Sequence, residues 1–400
     1  MTGWRTLPRS VWALGLVSLL MDLSSETIHA LLPTFLALEL GASMVTIGVL
    51  DGVAEAIASG LKIVSGAWSD RSGRRKRLAV IGYGLSAASK PAFALAAGIV
   101  PIAIARAVDR IGKGIRGAPR DALIADVTPP AVRGAAYGLR QSLDTIGAVL
   151  GPLCAMAWML AAADGYRLAF AFAVVPAVAA VALLGFAVRE PEQRSASAGK
   201  GPLRWQQLRE LDRGVLALLL VAALVTIARA TEGLLVLATV ERGLGVPYSP
   251  LVLVAMNVIY SAAAYPAGRL ADRWPRARLL LLGIALLLAA QLVLAIADSV
   301  ALCGVGLLLY GAHMAASQGL LSAWIAALAP AHLRGTAFGL LHLTTGLAAI
   351  VAGALAGACW AAAGPPLAFA TAAAIAVLAA AALWLARARL HSPANDTLRT

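Results

Sequence analysis

Arg106, Asp109, Lys113, Arg116 and Arg120 follow one another at intervals of three or four residues. In a helix that spacing lines a single face with charge. The stretch that carries them, Arg106 to Asp121, also holds Arg110, and it is framed by the apolar runs Pro101-Ile-Ala-Ile-Ala and Ala122-Leu-Ile-Ala. A cationic stripe on an apolar helix cannot face lipid, because each charge near the bilayer centre costs at least about 2.5–3.5 kcal/mol. It must face other helices or water. Guanidinium forks match carboxylates and related anions, so the chemistry open to this stripe is anion recognition or pairing with buried acids.

Acids of the right kind occur elsewhere in apolar sequence. Asp22, Glu26 and His29 recur at i, i+4 and i+7 in the first apolar run. Asp51 and Glu55 share a face of the second run, with Lys62 farther along, and Lys90 precedes Pro91 in the third. Arg140 and Asp144 are one turn apart in the fifth. The second half offers less: Arg229 and Glu232 in the seventh run, Asn257 and Tyr260 in the eighth, Tyr310, His313 and Gln318 in the tenth, and His342 in the eleventh.

Ionisable groups inside a membrane default to a functional role with a named partner. Asp22 and Glu26 are therefore expected to face Arg106, Arg110 or Lys113. Competition between a proton and a substrate for such a site is the simplest coupling mechanism, since burial and a nearby arginine pull a carboxyl group in opposite directions. The bland reading is that these pairs are internal braces, and it is the better one for Asp51, Glu55, Lys62 and Lys90. His29, His313 and His342 titrate near neutrality, but a lone helical histidine is more often a packed hydrogen-bonder. Trp158, Trp324 and Trp360 read as interface or core residues.

The elements that position these groups follow from composition. Of 400 residues 60% are hydrophobic, and the mean hydropathy is +0.82. Soluble domains are about 45–50% apolar, so the chain is expected to be an all-α polytopic membrane protein. Runs long enough to cross a core of ~30 Å occur near 11–38, 44–67, 78–99, 101–124, 132–163, 167–188, 214–240, 249–270, 277–297, 300–327, 334–362 and 364–387, which makes twelve. The first run passes through Asp22 and Glu26 without a small-residue cleavage site, so it reads as a retained helix. The polar stretch from Arg189 to Arg213 reads as a linker. The expected layout is a six-helix bundle over 1–188, a linker over 189–213 and a second bundle over 214–400.

The net charge of +13 belongs to membrane orientation rather than to nucleic-acid binding, which would gather bases on a soluble face. Arg5 and Arg9, Arg71 to Arg77, Arg133, the linker, Arg269 to Arg278, Arg334, and Arg387 with Arg389 fall on one side of the twelve runs. The positive-inside rule makes that side cytoplasmic, both termini included. An alanine- and arginine-rich composition suggests a GC-rich bacterial genome, hence the inner membrane. Cys154, Cys303 and Cys359 are far apart in apolar sequence and show no metal spacing or disulfide framework.

The halves repeat each other. Gly66-Ala-Trp-Ser-Asp70-Arg71-Ser-Gly73-Arg74-Arg75 matches Gly268-Arg-Leu-Ala-Asp272-Arg273-Trp-Pro-Arg276, and Arg133-Gly-Ala-Ala-Tyr137-Gly-Leu matches Arg334-Gly-Thr-Ala-Phe338-Gly-Leu. The offsets are 202 (268 against 66) and 201 (334 against 133). Matches at nearly one offset and the same helix parity indicate a duplicated unit in parallel orientation.

These residues resemble the major facilitator superfamily along essentially the whole chain. Gly66, Asp70, Arg71, Gly73 and Arg74 look like that family's loop 2–3 signature, with Asp272-Arg273 as its degenerate copy. Arg106, followed by Gly114, is similar to the fourth-helix signature, although Arg110 stands where a glycine is usual. Gly147-x-x-x-Gly151-Pro152 is similar to the fifth-helix signature of exporters and proton antiporters. The resemblance implies two six-helix bundles rocking around a central cavity. On physical grounds Asp70, at a helix end, suits the positive end of a neighbouring helix, and Asp126 is the expected partner of Arg74, a latch that makes and breaks. Gly147 and Gly151 let helices approach closely while Pro152 bends the axis.

The functional expectation is a secondary transporter and not an enzyme, with no cofactor and no metal, working as a monomer on a small molecule of anionic character. Protons are the expected coupling ion and export the expected direction; uptake of an organic anion by symport or facilitated diffusion is the alternative. No nucleotide-binding Gly-x-x-x-x-Gly-Lys-Ser/Thr occurs. A membrane prenyl or lipid transferase using Asp22, Glu26, Asp51 and Glu55 on magnesium is a remote alternative, which the duplicated layout disfavours. A non-transporting sensor would need a signalling domain that the short polar ends do not hold.

Overall fold

The computed structural model describes residues 7–129, 132–188, 213–271, 273–329 and 333–387, apart from the side chains of Asp70 and Arg334. Within them the regular structure is helical: α1 (Arg9–Thr34), α2 (Met44–Ser72), α3 (Arg75–Leu95), α4 (Ile99–Val127), α5 (Arg133–Ala161), α6 (Gly165–Ala187), α7 (Arg213–Ala228), α8 (Glu232–Glu241), α9 (Leu251–Ala271), α10 (Arg276–Ile296), α11 (Val300–Leu328) and α12 (Arg334–Ala386). A π-helical turn, Phe35–Glu39, extends α1, and a 3₁₀ turn, Val246–Tyr248, precedes α9.

The punctuation is local chemistry. Gly73, at φ +63°, turns the chain between α2 and α3 where other residues would be strained. Thr128 is extended because Pro129 follows it, which stops α4. α12 runs 53 residues but is non-helical at Ala363 and Gly364, just before Pro365-Pro366. Proline is tolerated in a first helical turn and not in an interior one, so α12 is two helices, as the separate runs 334–362 and 364–387 imply.

One expected run is discontinuous. The sequence reads 214–240 as a single span, whereas the structure breaks it between α7 and α8, with Ala230 in the left-handed region at φ +47°. The broken ladder is repaired from other helices. Gln291 Nε2 donates to Ala228 O at 2.7 Å and Tyr310 Oη to Arg229 O at 2.8 Å.

Ten helical stretches among the described residues are long and apolar enough to cross a membrane, with α7–α8 taken together and α12 taken whole. α4 has the length, 29 residues, and falls short only through its charges. Adding it and dividing α12 at its break gives twelve spans, so the chain is an all-α multi-pass membrane protein. Two compact units are distinguished. One comprises residues 7–42, 57–188 and Gly245–Val254; the other comprises Ser43–Ala56, 213–244 and 255–387.

Each unit has the same internal plan. In the first, α1 packs on α5 and α3 packs on α4 and α6. In the second, α7 packs on α12 and α10 packs on α11 and α12. α3 and α10 are 21 residues each and α4 and α11 are 29 each, with starts 201 residues apart in both pairs (276 against 75, 300 against 99). The duplication seen in the loop motifs extends to the helices.

Candidate functional site

Two close helix contacts hold the site in the first unit. At the first, a Cβ on Gly147 would lie 2.6 Å from Leu19 O, and one on Gly151 would lie 2.8 Å from Glu26 Cβ and 2.9 Å from Leu23 O. The glycine spacing thus brings α5 onto α1 at the turns that carry Asp22 and Glu26. Thr27 Oγ1 donates to Gly151 O at 3.1 Å across the seam. At the second, a Cβ on Gly112 would lie 2.5 Å from Gly82 O and from Ser86 Oγ, so α3 lies against α4 at the middle of the charged stripe.

That approach lets α3 reach the stripe. Lys90 Nζ donates to Asp109 Oδ1 at 2.8 Å and to Ser25 Oγ of α1 at 3.0 Å. The Lys90 and Asp109 side chains are 1% and 6% exposed, so this pair is sealed. Arg110 Nε stands 3.8 Å from Asp109 Oδ2. Arg116 donates to Ser86 Oγ at 2.6 Å and lies over the Tyr83 ring, 4.8 Å from its centroid. Arg106 is buried on the same helix.

A second cluster joins α4 to α5. Arg140 pairs with Asp144 at 2.9 Å, the one-turn pair the spacing implies, and reaches Asp121 at 3.7 Å. Arg120 meets Asp121 at 3.0 Å and Asp144 at 4.0 Å, and donates to Ser18 Oγ of α1 at 3.1 Å.

The expected acids behave differently. Asp22 and Glu26 keep 25% and 19% of their side chains accessible, on an apolar helix, with His29 Nδ1 3.4 Å from Glu26 Oε2. Lys113 is exposed on α4, and its charge acts on both carboxylates. Arg110 also acts on Glu26. The ion pair of Asp22 is with Arg116, at 4.0 Å, rather than with the expected Arg106, Arg110 or Lys113. Arg116 lies one turn beyond Lys113, and the contact of α3 at Gly82 holds its side chain in place.

The loop motif needs one correction. Asp126 is met not by Arg74 but by Arg75, whose Nη1 lies 2.7 Å from Asp126 Oδ2 and donates to Ala122 O at 2.9 Å. Arg74 precedes α3, and Arg75 is its first helical residue, which sets the direction of the side chain. Gly66 faces α4, where a Cβ would meet that of Ala118 at 3.4 Å. Arg71 and Arg273 are exposed. The side chain of Asp70 and all of Asp272 lie outside the described residues.

The second unit places Arg229 and Glu232 on either side of the α7–α8 break. The Arg229 guanidinium lies 5.9 Å from the Tyr310 ring centroid, and Glu55, in the first half of α2, is among the charges that act on it. His313 is fully buried, with Nδ1 2.7 Å from Gly283 O, a packed hydrogen-bonder as expected. Trp324 and Trp360 are buried, and Trp360 donates to Glu241 at 3.2 Å.

Sequence reasoning passed over Ser18, Ser25, Ser86, Tyr83 and Gln291. Each sits on a largely apolar helix, and its role depends on which helix lies opposite. Among the described residues no group of three or more His, Cys, Asp or Glu is arranged to hold a metal ion, and the cysteines are free.

A duplicated twelve-span membrane protein with an ionic network inside one repeat has the build of a secondary transporter. The chain belongs to the Major Facilitator Superfamily, whose sequence profile matches residues 14–256 and 218–399. An MFS-type transporter of Methanocaldococcus jannaschii is 29% identical over 370 residues, 89% of each chain. A shorter match, 34% identical over 122 residues and 30% of each chain, is to the multidrug resistance protein MdtH of Yersinia enterocolitica. Among solved structures, an inward-facing, occupied bacterial homologue of the human lysosomal transporter Spinster superposes with a TM-score of 0.75 at 18% identity, covering 96% of this chain and 98% of its own. Secondary transport of small molecules across a membrane follows from the family.

Proposed function

We propose that the protein exports a small anionic or carboxylate-bearing molecule in exchange for protons. The observation that carries this reading is the contrast within the first unit. Lys90 and Asp109 are sealed together, whereas Asp22, Glu26 and Lys113 stay accessible on membrane-spanning helices. A carboxylate that water reaches and that a cation only loosely holds can exchange a proton for a substrate anion's claim on the same cation. Asp22 and Glu26 are the proton carriers. Lys113, with Arg110 and Arg116 behind it, is the substrate-binding cation, and Asp109, Arg106, Arg140 and Asp144 brace them. Arg229 and Glu232 serve the second half, and the Arg75–Asp126 pair takes the place of the expected Arg74 latch. The overlap with MdtH supports export, as does Gly147-x-x-x-Gly151-Pro152 packed on the acid-bearing helix.

In this reading residues 1–188 and 214–400 are the two transport halves joined by 189–213. The protein works as a monomer in a bacterial inner membrane with both termini cytoplasmic. The test is substrate flux in right-side-out and inverted vesicles under an imposed proton gradient. Export by antiport is expected to load inverted vesicles whose interior is acid, and Asp22→Asn with Glu26→Gln is expected to abolish the dependence on the gradient. Unchanged coupling in both variants removes these residues as proton sites, and loading of right-side-out vesicles with the proton gradient identifies uptake instead.

A further inference from the structure

The second unit contains a groove of about 520 Å³ between the last turns of α9, the start of α10 and the middle of α11. Its walls are aliphatic. Ala263 and Ala267 come from α9, Leu282 and Leu286 from α10, and Ala312 and Ala316 from α11. Among the described residues, the charged side chains lining it are Arg269 and Arg273, both exposed, at the end of α9 and just beyond it. Pro266 lies in the α9 wall and interrupts that helix's ladder there.

The duplication shows that this space is built by substitution. In the first repeat the positions matching Ala263, Ala312 and Ala316 are Leu61, Ile111 and Ile115, at the offsets of 202 and 201 given by the loop motifs (263 against 61, 312 against 111). There α2 and α4 close on each other. A Cβ on Gly114 would lie 2.6 Å from Leu61 Cβ, and Ser65 Oγ donates to Gly114 O at 2.9 Å. The second repeat replaces these bulky residues by alanine and sets Arg269 where the first has Ala67. The outer half of α9 still packs closely, since a Cβ on Gly311 would lie 2.9 Å from Met256 O. The gap therefore opens only toward the arginine end.

We infer that this groove binds one anionic phospholipid, its acyl chain along the alanine and leucine walls and its phosphodiester on Arg269 and Arg273. An aliphatic slot within the bilayer suits an acyl chain, and two guanidinium forks at its mouth match a phosphate at headgroup depth. Basic pockets between membrane helices recognise anionic headgroups in this way. The sequence from Arg269 to Arg278 carries four arginines against Asp272 alone, so the mouth is strongly basic, which disfavours the arginine-containing linker as the occupant. Assignment to the cytoplasmic leaflet rests on the orientation proposed above; the binding itself does not.

Native mass spectrometry of the full-length protein, exchanged from detergent into phosphatidylglycerol or phosphatidylcholine mixed micelles, tests this. One phosphatidylglycerol is expected to be retained and phosphatidylcholine lost, with inorganic phosphate unable to compete. Arg269→Gln and Arg273→Gln, both on exposed side chains, are expected to lower occupancy about fivefold each. Ala263→Leu with Ala312→Leu is expected to prevent retention by filling the slot. Equal retention of both lipids, displacement by millimolar phosphate, or unchanged occupancy in the double-arginine variant would overturn the assignment. None of these results depends on transport direction or proton coupling.

Discussion

At the scale of single residues, exposure separates a sealed ion pair from charges that stay accessible. Removing one member of a buried ion pair leaves the other uncompensated, at about 3–5 kcal/mol. Lys90→Met is therefore expected to lower the thermal unfolding midpoint of the purified protein sharply, and adding Asp109→Asn is expected to recover much of the loss. A Lys90→Met variant as stable as the parent would show that Arg110, 3.8 Å from the acid, suffices alone. Asp22→Asn and Glu26→Gln, on partly accessible groups, are expected to leave that midpoint nearly unchanged. Much of this was legible in advance. The Arg140–Asp144 pair follows from helical spacing, and the brace reading is the better one for Lys90, although its spacing does not name Asp109 as the partner. The exchange of Arg74 for Arg75 turns on where a helix starts, within the residue or two by which such boundaries blur. The serines that complete the network were not legible, because Ser18, Ser25 and Ser86 gain meaning only from the helix opposite.

Helices as units extend the same contrast. The contact of α5 with α1 is expected to fail in Gly151→Leu, because the added side chain has no space between Leu23 O and Glu26 Cβ. Overpacking of this sort costs about 1–3 kcal/mol or more. Since the displaced turn carries Glu26, transport is expected to fall further than stability does, a split that flux and unfolding measurements on the same preparation would reveal. The separate apolar runs 334–362 and 364–387 announced one helix break, which falls at Ala363 and Gly364. The break at Arg229-Ala-Thr231 carried no glycine or proline, and Ala230 adopts its positive φ because Gln291 and Tyr310 hold the freed carbonyls. Tertiary capping overrode local propensity there. Tyr310→Phe removes the donor to Arg229 O and is expected to destabilise the second unit by about 1–3 kcal/mol; hydrogen exchange slower than or equal to that of the parent at residues 226–234 would contradict that role.

For the molecule as a whole, the duplication conserved packing and let chemistry diverge. The lengths and starts of α3 and α4 recur in α10 and α11 at one offset and their packing partners recur with them, so the twelve-span plan was legible from two loop motifs and a hydropathy count. Charge does not repeat: at the offset of 201 the positions of α11 that match Arg106, Asp109, Arg110, Lys113, Arg116 and Arg120 are Leu307, Tyr310, Gly311, Met314, Ser317 and Leu321. Within the first unit's network Lys90, Arg106, Arg110, Lys113, Arg116, Arg120 and Arg140 outnumber Asp22, Glu26, Asp109, Asp121 and Asp144. A site with surplus fixed cations, one of them the exposed Lys113, attracts anions and repels lipophilic cations. Ligands that bind only the folded protein stabilise it by about 2.7 kcal/mol at a hundredfold excess over Kd. In a thermal-shift screen of the purified protein, small organic anions are therefore expected to raise the unfolding temperature where cations of similar size do not, and Lys113→Ala is expected to erase the response while leaving the unliganded midpoint in place. Stabilisation by cations that persists in Lys113→Ala would reverse the sign assigned to the substrate and move its binding away from α4.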